Sequence, residues 1–408
     1  MIRWITERLG TAPYEEVRAL PGLTVVDVRA LLDREGNSAA AVVEKIEAAA
    51  RALAAGEKTV VACEFGVSRS NAVAAGALAR HAKLGFDAAL ARVLDATGEH
   101  QLRLEVVAAV RAALGEDAPP LAGPGAVIVT TPLAHSDPAF DAVLPRDRAL
   151  VHAGRELLGD AVRLDLLARA SGAEVLLHLN APRPDTTNAA LGAALAELKT
   201  VLDVCRAREL FLVWCSSWEV YAGHAAGPLL AAESTPHVPR GTLGLTKSLG
   251  EAMIARYRER HGLRAAILRP GVVYGPPVGR PAFLAGWLEA ARAGHELVAH
   301  AFRNGDARLD MLYIDDFRAA LGTVVERRVA QDFNLGGGLA ATPAVAAELV
   351  RLCGSRSPVR TVQMEGDSPQ VTLDSRRAAE QLGWRPATPL AVGLAACVAA
   401  AEEPATDA

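Results

Sequence analysis

The chain has 408 residues and a formal net charge of −4, and 51% of its residues are hydrophobic and 22% charged. This length predicts two or three domains, and the lack of a basic block argues against nucleic acid as an obligate partner. The sequence predicts no membrane-spanning segment and no signal peptide, so we expect a cytoplasmic protein without a membrane partner. Its five cysteines are scattered without a Cys-x-x-Cys pair, which predicts neither disulfides nor a metal site.

The first predicted elements are a strand at residues 24–28, a helix at 38–54 and a second strand at 60–63. This second strand is followed by a loop that leads into an alanine-rich helix. The loop contains a cysteine and an arginine six positions apart, in the order Cys63, Glu64, Phe65, Gly66, Val67, Ser68, Arg69 and Ser70. Backbone N–H groups in a loop that leads into a helix converge on a point outside it. We therefore expect the loop to attract an anion, most naturally phosphate.

The side chains that bracket this loop have the chemistry needed for phosphoryl transfer. A positive local field favours the thiolate of Cys63, which makes it a candidate nucleophile. The guanidinium of Arg69 can hold two phosphate oxygens, and the hydroxyl of Ser70 can hydrogen-bond the sulfur as it leaves phosphorus. The pattern Cys-x5-Arg-Ser resembles the signature of the protein tyrosine and dual-specificity phosphatases. The resemblance implies a small α/β domain that hydrolyses phosphomonoesters through a thiophosphate intermediate and needs no cofactor.

The amino-terminal part departs from this family at two points. Ala62 stands where the family usually has histidine. The resemblance also implies an upstream general acid, for which Asp33 is the candidate, although the segment around it looks shorter than usual. The alternative interpretation of Cys63 is a buried core cysteine beside a helix-capping serine, Ser70.

A run rich in proline and glycine, residues 115–125, predicts a domain boundary. We expect a phosphatase-like domain over residues 1–117, a linker over 118–125 and a second domain over 126–403. In the second domain, short apolar strands alternate with longer helices, a pattern typical of a parallel α/β sheet. The predicted strands include residues 161–164, and the predicted helices include 187–207 and 241–261.

Motifs of the second domain follow one another in a characteristic order. A strand ends at Asn180, a serine-bearing segment carries Ser217, a helix carries Lys247 with Glu251, and an Arg-Pro-Gly motif contains Pro270. The order resembles the extended short-chain dehydrogenase/reductases, which include nucleotide-sugar epimerases and dehydratases. The resemblance implies a Rossmann-like, doubly wound parallel sheet. It also implies that Asn180, Ser217, Lys247 and Pro270 lie at the cofactor site.

Two departures affect the expected chemistry of this domain. The family has a proton-transferring tyrosine four residues before the lysine, and here that residue is Leu243. A dinucleotide site also needs a glycine-rich turn after the first strand, whereas residues 131–137 contain no glycine. These changes argue against tight binding of a dinucleotide. NAD or NADP remains an open possibility as the cofactor of this domain.

The sequence supports three hypotheses about function. The main hypothesis is a cysteine-dependent phosphatase, of unknown phosphorylated substrate, fused to a degraded module that binds a nucleotide or sugar nucleotide. The second is an NAD(P)-dependent nucleotide-sugar epimerase, dehydratase or oxidoreductase in which an unusual acid replaces the tyrosine. The third is a binding or scaffold protein without catalysis. A homodimer is possible for dehydrogenases of this kind.

Overall fold

The computed structural model describes residues 1–99, 102–116, 125–130, 148–179, 187–224, 227–276 and 281–401. The chain forms two compact units. Unit one contains residues 1–128, 153–174 and 199–210, and unit two contains residues 129–152, 175–198 and 211–408. Nearly all of the expected linker at 118–125 lies outside the described residues.

Unit one contains a four-stranded sheet with helices of the amino-terminal segment. The strands are β1 (Arg3–Trp4), β2 (Leu9–Pro13), β3 (Thr24–Asp27) and β4 (Thr59–Cys63) in the order β1-β2-β4-β3. Both β2 and β3 pair with β4 in parallel, and β1 pairs with β2 antiparallel. The helices are α1 (Tyr14–Val17), α2 (Ala39–Ala54), α3 (Ser68–Ala82), α4 (Phe86–Thr97) and α5 (Leu104–Leu114). The predicted helix at 38–54 is confirmed, because Ser38 caps α2 by accepting a hydrogen bond from the backbone N–H of Ala41.

The predicted strand at residues 161–164 is wrong. The structure has a helix there, α6 (Ala161–Ala170), which belongs to unit one. The Asp160 carboxylate accepts hydrogen bonds from the backbone N–H groups of Val162 and Arg163, so it caps the first turn of α6. The short apolar run at 161–164 resembled a strand, but this cap directs the backbone into a helix.

Buried charges join α5 and α6 to the end of a further helix, α7 (Asn188–Arg208). The carboxylate of Asp165 on α6 accepts hydrogen bonds from Nε and Nη2 of Arg208. The Nη2 atom of Arg111 on α5 lies 3.8 Å from the same carboxylate and 2.6 Å from Oδ1 of Asp87. The side chains of Arg111 and Asp165 are each 1% exposed. Removing one member of such a group leaves a buried charge without compensation.

Unit two is organised around a six-stranded sheet. Its strands are β5 (Val127–Thr130), β6 (Leu150–His152), β7 (Val175–His178), β8 (Phe211–Cys215), β10 (Ala265–Pro270) and β15 (Asp332–Leu335), in the order β15-β10-β8-β7-β5-β6. The pairs β7–β8, β8–β10 and β10–β15 are parallel, as the alternation of strands and helices predicts. The order of the strands reverses at β5. In sheets of this kind ligands bind at the carboxyl ends of the strands near such a switch point.

Three small sheets and six helices complete the described part of unit two. The sheets have the orders β11-β14-β16, β13-β12-β17 and β18-β9, from the strands β9 (Leu229–Ala231), β11 (Val272–Tyr274), β12 (Leu297–Phe302), β13 (Gly305–Asp306), β14 (Arg308–Tyr313), β16 (Leu339–Ala341), β17 (Val359–Gln363) and β18 (Val371–Leu373). The helices are α8 (Gly241–His261), α9 (Ala282–Arg292), α10 (Ile314–Arg327), α11 (Thr342–Leu352), α12 (Arg376–Leu382) and α13 (Leu390–Ala400). The helices predicted at 187–207 and 241–261 are confirmed by α7 and α8. In the part of the chain that is described, no helix is long and apolar enough to span a membrane.

Replacement of Asp165 by Asn is expected to lower the free energy of unfolding by about 3 kcal/mol, because it leaves the buried guanidinium of Arg111 without a nearby anion on α6. Urea titration followed by circular dichroism measures this loss. The matched control is Asp95→Asn, since the Asp95 carboxylate pairs with Arg163 at an exposed position and should contribute less than about 1 kcal/mol. Equal losses for the two variants would contradict the importance of the buried network.

Candidate functional site

The amino-terminal loop between Cys63 and Arg69 connects β4 to α3. Cys63 is 2% exposed, and its Sγ atom lies 3.4 Å from Oγ of Ser70, so the structure brings these two predicted residues together. Gly66 has φ of +69°, and a Cβ there would lie 2.5 Å from the carbonyl carbon of Ala12. The loop therefore needs glycine to pack against β2.

Several groups that could face an anion make internal hydrogen bonds instead. Nη1 of Arg69 donates to the carbonyl oxygens of Arg29 (2.9 Å) and Leu31 (3.0 Å), which fixes the segment after β3. The hydroxyl of Ser68 accepts from the backbone N–H of Arg103. The side chains of Glu64, Phe65 and Asp33 are exposed, and Val67 precedes α3 without a side-chain cap.

A second candidate site lies at the carboxyl end of β8 in unit two. There Ser217 accepts a hydrogen bond from the backbone N–H of Glu219, which starts the 3₁₀ turn Trp218–Tyr221. The helix α8 approaches the end of β8 closely at two of its glycines. A Cβ on Gly244 would lie 2.5 Å from the carbonyl oxygen of Glu219, and one on Gly250 would lie 2.6 Å from the Trp214 ring. Only glycine at these two positions allows this packing.

Lys247 on α8 points its ammonium group into this site. Its side chain is 2% exposed, Nζ donates to the backbone carbonyl of Cys215, and Nζ lies 4.8 Å from the centroid of the Trp214 ring. Burial lowers the pKa of Lys247, and the nearby Cys215 and Glu251 partly offset this effect. The ammonium group of Lys247 and the predicted residue Ser217 therefore both lie at the carboxyl end of β8.

A buried polar network supports the same strand end. Glu251 accepts from Oγ of Ser216 and from Nε of Arg269, the latter at 2.9 Å. Nη1 of Arg269 donates to the hydroxyl of Tyr221 at 2.8 Å. Burial alone would lower the pKa of Arg269, but its hydrogen bonds with Glu251 raise that pKa above the ordinary value. Sequence reasoning assigned no role to Ser216 or Tyr221. The four-residue spacing of Lys247 and Glu251 does predict that these two side chains lie on one face of a helix.

The neighbouring strand ends carry further buried polar groups. Oγ1 of Thr130, at the end of β5, lies 2.5 Å from Nδ1 of His178, at the end of β7. Burial, followed by the positive charge of Lys247, lowers the pKa of His178 to about 3. This imidazole is therefore neutral at physiological pH. Pro270 ends β10 opposite Leu335, whereas Asn180 and residues 131–137 lie outside the described residues.

Sequence reasoning did not identify Glu219, an acidic residue in the turn that Ser217 caps. Its main chain packs against Gly244, the residue that follows Leu243, and its side chain is partly buried. Burial raises the pKa of Glu219, and the nearby backbone N–H of Gly244 partly offsets this effect. The sequence signal that could have identified Glu219 is its position two residues after Ser217.

Comparison with known proteins places the similarity in the carboxy-terminal part. Residues 157–336 match the NAD dependent epimerase/dehydratase family. The chain is 30% identical over 192 residues to UDP-glucose 4-epimerase of Mycolicibacterium smegmatis, covering 45% of this chain and 59% of the relative. It is 28% identical over 224 residues to UDP-glucuronate 4-epimerase 4 of Arabidopsis thaliana, covering 49% and 50%. The chain thus spans about half the length of the curated relatives it matches.

Solved structures agree at the level of the fold. The UDP-glucose 4-epimerase of Thermus thermophilus in complex with NAD has a TM-score of 0.58 and 19% identity, covering 67% of this chain and 98% of that one. The Bacillus cereus UDP-glucuronic acid 4-epimerase in complex with UDP-glucuronic acid and NAD has a TM-score of 0.57 and 19% identity, with the same coverage. These likenesses support the Rossmann-like sheet of unit two.

The main hypothesis of a phosphatase is wrong. The family match and the relatives point to NAD-dependent enzymes that act on UDP-sugars, and they do not support a phosphatase domain. The contacts of Arg69 and the burial of Cys63 give a structural reason, since both side chains serve internal contacts. The catalytic roles expected for Cys63, Arg69, Ser70 and Asp33 belonged to that hypothesis and are not carried further. The carboxy-terminal part of the chain is instead similar, over residues 157–336, to the NAD dependent epimerase/dehydratase family, and its sheet is Rossmann-like.

Proposed function

We propose that the carboxy-terminal domain binds NAD and a nucleotide sugar, and that it catalyses epimerisation or dehydration of the sugar. The observation that carries this proposal is that the buried ammonium group of Lys247 binds the Cys215 carbonyl at the end of β8, two residues before Ser217. The family match over residues 157–336 and the NAD-bound and UDP-sugar-bound proteins of the same fold support it.

The described residues fit the nicotinamide-ribose end of a dinucleotide. The ammonium group of Lys247 has three donors, so it can serve both the Cys215 carbonyl and a ribose hydroxyl. The turn that would meet the pyrophosphate, residues 131–137, contains no glycine. We therefore expect ribose contacts to contribute an unusually large share of the affinity, and Asn180 and Pro270 remain proposed neighbours of the cofactor.

The remaining chemistry belongs to side chains of this domain. Bound NAD supplies a hydride acceptor, which allows a sugar alcohol to be oxidised and later reduced. Oγ of Ser217 accepts from the Glu219 amide, which leaves its O–H able to donate to a sugar oxygen. The buried ammonium group of Lys247 makes the local potential positive and favours negative charge that develops on that oxygen.

A second candidate function is the binding of a nucleotide sugar without turnover. Leu243 favours it, because leucine cannot exchange the proton that the family's tyrosine transfers. The two candidates differ in one measurement. An enzyme converts UDP-glucose in the presence of NAD, whereas a binding protein is stabilised by UDP-glucose without converting it.

Saturating NAD and UDP-glucose are each expected to raise the melting temperature of the whole chain. Ligand at about 100 times its Kd stabilises the native state by about 2.7 kcal/mol, which corresponds to several degrees for a domain of this size. Nuclear magnetic resonance of the same mixtures should detect conversion of UDP-glucose. Absence of any shift with NAD, NADP or UDP-glucose would contradict both candidate functions.

Replacement of Lys247 by Met is expected to weaken NAD binding about ten- to hundredfold, because a hydrogen bond from a charged donor contributes about 1.5–3 kcal/mol. Titration of NAD followed by melting temperature measures this change. Lys199→Met is the matched control, since Lys199 lies on the exposed face of α7 and pairs with Asp203. An unchanged Kd in Lys247→Met would remove Lys247 from the cofactor site.

A further inference from the structure

One histidine connects the two elements that form the candidate site in unit two. His237 lies between β9 and α8, and the main chain of its neighbour Val238 is bonded to the turn that Ser217 begins. The backbone N–H of Val238 donates to the Val220 carbonyl at 2.9 Å, and the N–H of Gly223 donates to the Val238 carbonyl at 2.7 Å. The main chain beside His237 is therefore fixed to this turn.

The side chain of His237 contacts helix α8 through both ring nitrogens. Nδ1 lies 3.2 Å from Oγ of Ser248, and Nε2 lies 3.4 Å from Oε2 of Glu251. Ser248 and Glu251 are three residues apart and share one helix face. Glu251 is also the partner of Arg269, which holds α8 against the sheet. His237 therefore joins the serine-bearing turn to the lysine-bearing helix.

These two contacts determine how the neutral ring carries its hydrogen. In a neutral imidazole one nitrogen donates and the other accepts. Because an ionised carboxylate only accepts, we assign the hydrogen to Nε2, which faces Glu251, and Nδ1 then accepts from the Ser248 hydroxyl. A second proton would turn Nδ1 into a donor. It would also place a positive charge beside the carboxylate that pairs with Arg269.

Charged and titratable groups from four elements face this ring. The Tyr221 ring in the turn meets it edge-on at 5.7 Å between centroids. Burial lowers the pKa of His237 below its ordinary 6.5, the charge of Glu251 on α8 opposes this effect, and Arg269 on β10 lowers and Asp332 on β15 raises the same pKa. The side chain is 23% exposed, so solvent protons reach it. The ring is therefore neutral at pH 7 and becomes protonated in acid.

We propose that His237 is a positioning residue for the candidate site, and that protonation of its ring weakens the binding of NAD there. This inference rests on the proposed function. The neutral ring holds the turn against α8. The imidazolium competes with Arg269 for the Glu251 carboxylate, which loosens α8 at Lys247, one turn earlier in the helix. His237 acts through the helix and exchanges no proton with the substrate.

The first test measures NAD affinity of the whole chain at about pH 7.5 and about pH 5.5, the range in which histidine titrates. The wild type is expected to lose about fivefold in affinity at the lower pH, the lower end of ordinary coupling between two sites. His237→Gln keeps an N–H donor for Glu251 but does not titrate, so its affinity should change little with pH. His295→Gln is the matched control at an exposed histidine and should keep the wild-type pH dependence.

The outcomes of this test separate the inference from the proposed function. A purely structural role of His237 predicts that His237→Gln weakens NAD binding equally at both pH values. That result, or a pH dependence in His237→Gln equal to that of the wild type, overturns the inference alone. A wild type that NAD, NADP and UDP-glucose all fail to stabilise overturns the proposed function, and the inference falls with it.

The second test needs no ligand. Because the pKa of His237 in the folded chain lies below 6.5, the unfolded chain takes up this proton first as the pH falls, and the native state loses stability below about pH 6.5. The melting temperature of His237→Gln should therefore fall less on acidification than that of the wild type. Nitrogen nuclear magnetic resonance, with His237→Gln to assign the signals, should show the neutral ring protonated on Nε2. A neutral ring protonated on Nδ1, or a pKa above 6.5, overturns the inference.

Discussion

The candidate site depends above all on the ion pair between Glu251 and Arg269. Glu251 lies on α8, Arg269 lies on β10, and Ser216 at the end of β8 donates to the same carboxylate. The pair therefore fixes the helix to two adjacent strands of the sheet. Lys247, one turn earlier, then reaches the carbonyl of Cys215, and Gly244 meets Glu219. Residues 244, 247 and 251 are three and four positions apart and therefore share one helix face. The pair of Glu251 and Arg269 thus also sets the positions of the contacts made by Gly244 and Lys247.

The same pair also constrains what can change in the site. Glu251 and Arg269 are 5% and 2% exposed, and the loss of either partner would leave the other charge buried without compensation. Arg269 also donates to the Tyr221 hydroxyl, and Tyr221 contacts the Asn334 side chain. The polar network thus links four parts of unit two.

The sequence predicted most of the architecture, because the dominant signals were local. Ser38 marks the start of α2 by capping it, and the alternation of apolar strands and helices predicts the parallel sheet. The strand expected at residues 161–164 was wrong because the Asp160 cap outweighed a short apolar run. The phosphatase hypothesis relied on the spacing of Cys63 and Arg69. Spacing cannot reveal that Arg69 binds the carbonyls of Arg29 and Leu31, which are forty and thirty-eight residues away in the chain.

The site in unit two was predicted in part, and the missing part has a physical reason. Motif comparison asks which side chain stands at residue 243, whereas the close approach of α8 to the turn at Glu219 depends on the missing Cβ of Gly244. The contacts that hold α8 to the sheet come from residues 244, 247 and 251. The contacts that hold α8 to the sheet therefore do not depend on the side chain of residue 243, so leucine there leaves the helix in place.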